Sequence, residues 1–321
     1  MPENLISIIM PIKNAEKYIR DSIQSILNQT YKNFEFIIID DGSTDGSQKI
    51  IESIKDDRIK FYKKESAGLI EQLNFGLGEA KGEFVARMDA DDTVSPEKLE
   101  MQINYLLNNK DIQLVGTNFT FIDENGKSIM PKKLPEEHRD IEFMMPFIDS
   151  VLHSSILTYK SVLIDSGGYD KEYYSAEDDE LFLRLLSLGY KMHNIQRSLY
   201  RYRLVERPSE YYDMQKINYY KCSIKYLDNH YTEKTGEYYL RMGLLEYYRG
   251  SINKSREHLL KSLKYKGIKR KYFFRYIPVT FLGDKIVNFL RKKKISSKVN
   301  SYFNKKFKYD TYNISGSDVK K

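Results

Sequence analysis

Short apolar runs rich in isoleucine alternate, over the first 130 residues, with stretches of helical spacing. Leu5–Met10, Phe34–Ile39, Ile59–Tyr62, Phe84–Met88 and Leu114–Thr117 have the length and residue type of buried strands. Between them, Ala15–Asn28 places Tyr18, Ile19, Ile23, Ile26 and Leu27 at helical spacing. Ser43 or Thr44 can cap a further helix running to about Ile54. Leu69–Ala80 reads as a helix stopped near Lys81-Gly82, and Pro96 opens another that reaches Asn108. Asp123-Glu124-Asn125-Gly126-Lys127 reads as a hairpin turn. Strands alternating with helices predict an α/β domain with a mainly parallel sheet flanked by helices. Such sheets bind ligands at the carboxyl ends of their strands.

Beyond residue 130 the pattern is less regular. His153-Ser154-Ser155, Gly167-Gly168-Tyr169 and Glu177-Asp178-Asp179-Glu180 interrupt it, and Leu181–Leu188 then reads as a buried helix ended by Gly189. From about residue 210 the spacing is helical throughout. Gly243, Tyr247, Gly250, Ser255, Leu259 and Ser262 fall at spacings resembling one tetratricopeptide unit. One unit cannot bury its own face, so residues 235–265 are read as a single helical hairpin around Gly250. Leu240, Leu244, Leu245, Leu259, Leu260 and Leu263 are its expected core.

A chain of 321 residues accommodates one large domain and an appendage. The pattern divides it into an α/β domain at 1–208 and a helical, basic region at 209–321. The single cysteine, Cys222, excludes an internal disulfide and a cysteine-rich metal site, and fits a reducing cytoplasm. No signal peptide and no transmembrane run of about 18 apolar residues is read in the sequence. The net charge of +7 is uneven: residues 251–321 carry 20 Lys+Arg against 4 Asp+Glu, and the remainder, with 32 against 41, is acidic. Nucleic acid is therefore not an expected partner of the first domain. Within 268–298, Val279, Phe281, Leu282, Ile286, Val287, Phe289 and Leu290 precede Arg291-Lys292-Lys293-Lys294. That juxtaposition fits an interfacial helix on an anionic membrane, or equally a solvated basic helix end. The last residues, Asn313–Lys321, are expected to lack order.

Two predicted strands end in acidic clusters, Asp40-Asp41 and Asp89-Ala90-Asp91-Asp92. Carboxylates gathered at one sheet edge repel unless a cation or hydrogen-bond donors are recruited. Asp89 and Asp91 suit a hard cation, Mn2+ or Mg2+, bound through one or two carboxylates and substrate phosphates. The other reading of Asp89-Ala90-Asp91 is a solvated turn. Asp40-Asp41-Gly42-Ser43 reads either as a strand-to-helix turn or as a base or ribose contact through Asp41. Glu177–Glu180 reads either as an acidic helix N-terminus or as the source of a general base.

Three blocks, Ile6–Asn14 with Ser22–Tyr31 and Ile38–Asp45, then Asn74 with Ala80–Glu83 and Arg87–Asp92, then Ala176–Leu181 with Leu183-Arg184-Leu185, resemble family 2 glycosyltransferases. The resemblance covers roughly residues 5–205. It implies the GT-A fold, with nucleotide-sugar binding in 1–117 and the acceptor side in 118–208. It implies a hexosyltransferase-type enzyme that inverts the anomeric carbon of a nucleotide-diphosphate sugar, a UDP-sugar being favoured. The acceptor would be a hydroxyl of a glycan or lipid-linked molecule in cell-surface polysaccharide synthesis, and the expected location is the cytoplasm, either free or peripheral at the inner face of the plasma membrane.

By match, Asp41 contacts the nucleobase, Pro11, Lys13 and Asn14 line the nucleotide pocket, and Asp89 lies near the ribose. Asp91, with Asp89, would hold the metal. Asp178 would be the base with Glu177 beside it, and Arg203 would lie near the diphosphate. Lys13 stands where members often carry Tyr, and Val205 where a His often follows the Tyr-Arg pair. His153 could substitute for that His, or serve as a structural or acceptor-pocket residue. The other classes compatible with these residues are a nucleotidyltransferase and a non-catalytic sugar-nucleotide-binding or scaffold protein. The former usually shows a glycine-rich basic loop, which Pro11-Ile12-Lys13-Asn14 is not.

Overall fold

A computed structural model describes residues 4–205, 209–249 and 251–265. In chain order its first elements are β1 (Ile6–Ile12), α1 (Ile19–Leu27), β2 (Phe34–Asp41), α2 (Ser47–Ser53), β3 (Ile59–Lys64), α3 (Leu69–Glu79) and β4 (Phe84–Arg87). There follow β5 (Thr93–Val94), α4 (Lys98–Asn108), β6 (Leu114–Ile122), β7 (Ser128–Lys132) and α5 (His138–Met144). β8 (Leu157–Tyr159), α6 (Lys160–Asp165), α7 (Glu177–Ser187) and β9 (Met192–Arg203) precede three helices, α8 (Ser209–His230), α9 (Gly236–Arg249) and α10 (Ile252–Ser262).

Among the described residues nine strands form one sheet in the order β3-β2-β1-β4-β8-β6-β9-β5, with β7 added to β6. β3, β2, β1 and β4 are parallel, β8 is antiparallel to both β4 and β6, and β9 is parallel to β6. β1, β2, β4, β6 and β9 therefore all end at one edge. Every residue of β1 and β2 is buried, which explains their continuous apolar runs. α3 lies close against these strands: a Cβ on Gly76 would fall 2.6 Å from Ile9 Cγ2 and 3.0 Å from Ile39 Cδ1.

The structure departs from the sequence expectations in three places. α2 starts at Ser47 rather than after Ser43 or Thr44, because Ser43 Oγ is occupied by the Asn14 N–H at 2.9 Å. Asp45 instead accepts the Ser47 N–H at 2.9 Å. β6 continues to Ile122, and β9 had no expected counterpart. Its sequence, MHNIQRSLYRYR, is polar at most positions, and its ladder with β6 shifts register on both sides of Asn118. Leu260 and Leu263 are exposed, not core. The buried stripe of α10 is Ile252, Ser255, Leu259 and Ser262, whose small serines bond Gly243 O and Leu259 O.

The chain separates into two compact units, and the division falls inside α8, between Tyr219 and Tyr220. The first contains the sheet and Ser209–Tyr219, where Asn218 Nδ2 donates to Tyr174 O and Tyr219 Oη to Met145 O, both at 2.8 Å. The second unit, residues 146–148 and 220 onward, contains the α9–α10 hairpin with Leu240, Leu244, Leu245 and Leu259 buried. Among the described residues no helix is long and apolar enough to cross a membrane. The segment 268–298, its apolar run 279–290 and basic cluster 291–294, and the tail 313–321 lie outside the described residues.

Candidate active site

The common edge of β1, β2, β4, β6 and β9 gathers Pro11, Asp41, Asp89, Asp123 and Arg203 from sequence-distant segments. Pro11 is buried near the end of β1, in register with Ile39. Asn14 sews two loops together: its N–H donates to Ser43 Oγ, and its Oδ1 accepts the Thr44 N–H at 2.8 Å.

Asp41, at the end of β2, anchors the segment before α3. Its carboxylate accepts from Ala67 N–H (2.7 Å), Gly68 N–H (3.1 Å), Gln72 Nε2 (2.6 Å) and Ser66 Oγ (3.2 Å). Burial alone would raise its pKa. The Ala67, Gln72 and Gly68 hydrogen bonds and the Lys13 charge together hold it below the usual carboxylate range. Lys13, half exposed, reaches Asp41 at 3.5 Å and Ser66 Oγ at 2.5 Å. The position where an aromatic residue is common thus carries a cation beside the carboxylate expected to meet the base.

Asp89, Asp91 and Asp92 follow β4 and bring one carboxylate oxygen each within 4.8 Å of one another. Asp92 thus lies beside Asp91 and Asp89, the two carboxylates expected to hold a metal. Asp92 is buried, its Oδ1 accepts the Arg203 N–H at 2.6 Å, and its Oδ2 is buried without a hydrogen-bond partner. Burial, then the charges of Asp91 and Asp89, push its pKa well up. Asp89 forms an ion pair with the buried Arg87, two residues earlier on the same face, and donates its N–H to Tyr200 Oη at 3.3 Å. Three oxygen donors with an unsatisfied buried carboxyl oxygen fit a hard divalent cation.

Arg203 is buried behind this loop. Its Nε donates to Asp91 O at 2.6 Å and its Nη1 to Asp123 O and Glu124 O at 2.9 and 3.0 Å. Its guanidinium lies 4.2 Å from the Tyr18 ring centroid. It thereby ties the acidic Asp89–Asp92 loop to the β6–β7 turn. A polar cleft of about 400 Å³ opens beside it, lined by Tyr18, Thr93, Glu124 and Arg201 among others.

The second acidic group heads α7. Glu177 is buried and Asp178 half-buried at its first two positions. Burial, then the charges of Glu177 and Asp149, push the Asp178 pKa up to about 7. Asp149 was not anticipated, being an isolated acid in an irregular segment. His153 is not part of the Asp89–Asp91–Asp92 cluster; its Nε2 shares a 2.8 Å hydrogen bond with Tyr169 Oη. Burial, reinforced by the Arg87 charge, drives its pKa well down, so the ring is neutral near pH 7. Arg87, Tyr169 and Tyr200 had no assigned role. The detectable signal for Arg87 was its place two residues before Asp89 on a strand.

Acidic residues at the carboxyl edge of this mixed sheet, with a second acidic group at a helix start, are the arrangement that the resemblance to GT-A nucleotide-sugar transferases implies. The comparisons agree. The family model described as Glycosyl transferase family 2 matches residues 7–168. The O-antigen biosynthesis glycosyltransferase WbnJ of Escherichia coli is 34% identical over 227 residues, 68% of this chain and 86% of that protein. The putative glycosyltransferase EpsE of Bacillus subtilis is 35% identical over 207 residues, 62% of this chain and 72% of that protein. The chain belongs to glycosyl transferase family 2, and is a glycosyltransferase. Among solved structures, S. aureus TarS 1–349 aligns with a TM-score of 0.58 at 18% identity, over 97% of this chain and 94% of that one. The mannosyltransferase PcManGT of Pyrobaculum calidifontis, in complex with GDP-Man and Mn2+, aligns at 0.57 and 15%, over 94% and 87%. At these identities the likeness concerns the fold.

Proposed function

We propose that the chain transfers a sugar from a nucleotide-diphosphate donor, a UDP-sugar being favoured, to a hydroxyl of a glycan or lipid-linked acceptor, with inversion. The observation that carries this reading is the pairing of two separate carboxylate groups. One, at Asp89, Asp91 and Asp92, has the donor set for a cation. The other, Asp178, has a pKa suited to removing a proton near neutrality.

Asp91, Asp89 and Asp92 would hold Mn2+ or Mg2+. When bound, the cation supplies charge that stabilises the diphosphate leaving group. Asp178, with Glu177 beside it, accepts the proton of the acceptor hydroxyl as that oxygen attacks the anomeric carbon. Pro11, Lys13, Asn14 and Asp41 form the nucleotide end of the site. Likeness to an O-antigen enzyme and to TarS, solved with UDP-GlcNAc, supports a polysaccharide setting and a UDP-sugar. The basic segment 268–298 would bring the enzyme to an anionic membrane at the cytoplasmic face.

The test is release of nucleoside diphosphate from UDP-, GDP- and dTDP-sugars, with Mn2+, Mg2+ or EDTA, beside Asp91→Ala and Asp178→Ala. Metal-dependent release from one donor, lost in both variants, is the expected result. The absence of both release and metal-dependent nucleotide binding would overturn the assignment.

A further inference from the structure

His153 and Tyr169 are both buried, and neither belongs to the acidic clusters. Their hydrogen bond lies between the two halves of the site. On one side is Arg87, whose charge acts on both rings and which pairs with Asp89. On the other side is α7. The His153 ring meets Phe182 edge-on at 6.0 Å, and Phe182 lies one turn after Asp178 on the same helix face. Tyr169 feels the charges of Asp178 and Glu177 directly.

The segment carrying Tyr169 is fixed with unusual completeness. Asn74 of α3 grips its backbone at both ends, donating to Tyr169 O and accepting the Tyr169 N–H, each at 2.9 Å. Gly168 has φ +71°, and a Cβ there would come within 2.7 Å of Asn74 Oδ1, so the contact requires glycine. Arg184 of α7 donates to Gly168 O at 2.7 Å and to Ser166 O, while bonding Glu180 on its own helix. The backbone that carries the phenol is therefore tied to α7 and α3, and the phenol itself bonds His153.

We propose that the His153–Tyr169 pair is a positioning element of the transfer reaction, holding the first turn of α7, and with it Asp178, in register with the Arg87–Asp89 side of the site. This rests on the transferase reading above. The pair touches no substrate; it acts through the placement of the base. A base displaced by a fraction of an ångström loses rate, because proton removal depends on alignment. Donor and metal contacts, made elsewhere along the sheet edge, are untouched.

The test uses the full chain with Tyr169→Phe, which removes one hydroxyl, and with His153→Ala, His153→Gln and the double variant His153→Ala/Tyr169→Phe. Amide hydrogen exchange, read by mass spectrometry, needs no turnover. Tyr169→Phe is expected to speed exchange across 176–182 by at least about threefold, leaving 84–92 unchanged. In nucleoside diphosphate release from the donor that the panel selects, Tyr169→Phe and His153→Ala should lower kcat by about 10- to 100-fold. KM for the donor and the Mn2+ dissociation constant should stay within twofold. Glutamine at 153 can still bond the phenol and should recover most of the rate, and the double variant should be no slower than Tyr169→Phe alone. Unchanged exchange in 176–182, or a loss falling on KM rather than kcat, overturns the proposal. If the wild-type chain neither releases nucleoside diphosphate from any donor nor binds nucleotide in a metal-dependent way, the transferase reading fails, and the exchange result decides the role of the pair by itself.

Discussion

The raised pKa of Asp178 should move the ascending limb of the pH profile from the acid range of an ordinary aspartate to near neutrality. With its pKa raised from 3.8 to about 7, the carboxyl stays protonated through the range where a solvated aspartate is ionised. A base works only when ionised, so kcat/KM should rise with pH and level off above about pH 8. At pH 6 only about a tenth of the molecules carry the ionised base, and activity should fall to about a tenth of its plateau. Burial is the largest cause, followed by Glu177 and then Asp149. Asp149→Asn removes the third cause alone, so the midpoint should move down while remaining above the ordinary aspartate value. The groups whose charges couple to Asp178 are Glu177, Asp149, Asp179 and Tyr169. The assay is donor turnover between pH 5 and 9 at saturating Mn2+, with Asp178→Asn as reference, expected to be about 10²–10⁴-fold slower and without the ascending limb. An ascending limb centred near pH 4, or one indifferent to Asp149→Asn, would refute the assignment of Asp178 as the ionising base.

Asp91→Ala and Asp92→Asn should each weaken Mn2+ binding, read by calorimetry, and EDTA should abolish turnover in the wild type; undiminished affinity in both variants would remove the cation from this cluster. Asp41→Ala strips the 66–72 segment of its acceptor and should cost about 2 kcal/mol. That loss corresponds to ~4–8 °C in melting temperature, with KM for the donor raised, whereas an unchanged melting curve would show the anchor to be unimportant. Gly76→Ala drives a methyl into Ile9 and Ile39 and should destabilise by about 1–3 kcal/mol through overpacking, measured by urea denaturation.

Much of this protein was legible in its sequence, and the physical reason is local. β1, β2 and β4 are buried on both faces, so their apolar runs are continuous and unmistakable, and the acids that follow them stand at strand ends by necessity. From that the α/β class and the binding edge could be read, whereas the roles expected of Asp89, Asp91 and Asp178 came from the resemblance of the motifs that carry them. β9 was hidden because its faces are mixed and its partner residues on β6 lie 78–81 positions away along the chain, in a ladder whose register slips at Asn118. Contacts between distant segments decided the rest. The burial of Asp92 beside Asp89 and Asp91 involves Arg203, 111 residues on, whose N–H donates to its carboxylate. Asp41 proves to anchor a loop because Ala67, Gly68 and Gln72 fold back onto it. His153 and Tyr169 gain their meaning from Asn74, Arg184 and Arg87, which no spacing rule brings together. Hydrophobic period and turn chemistry are properties of neighbours in sequence; ionisation and hydrogen-bond partnership are properties of neighbours in space, and only the folded chain specifies those.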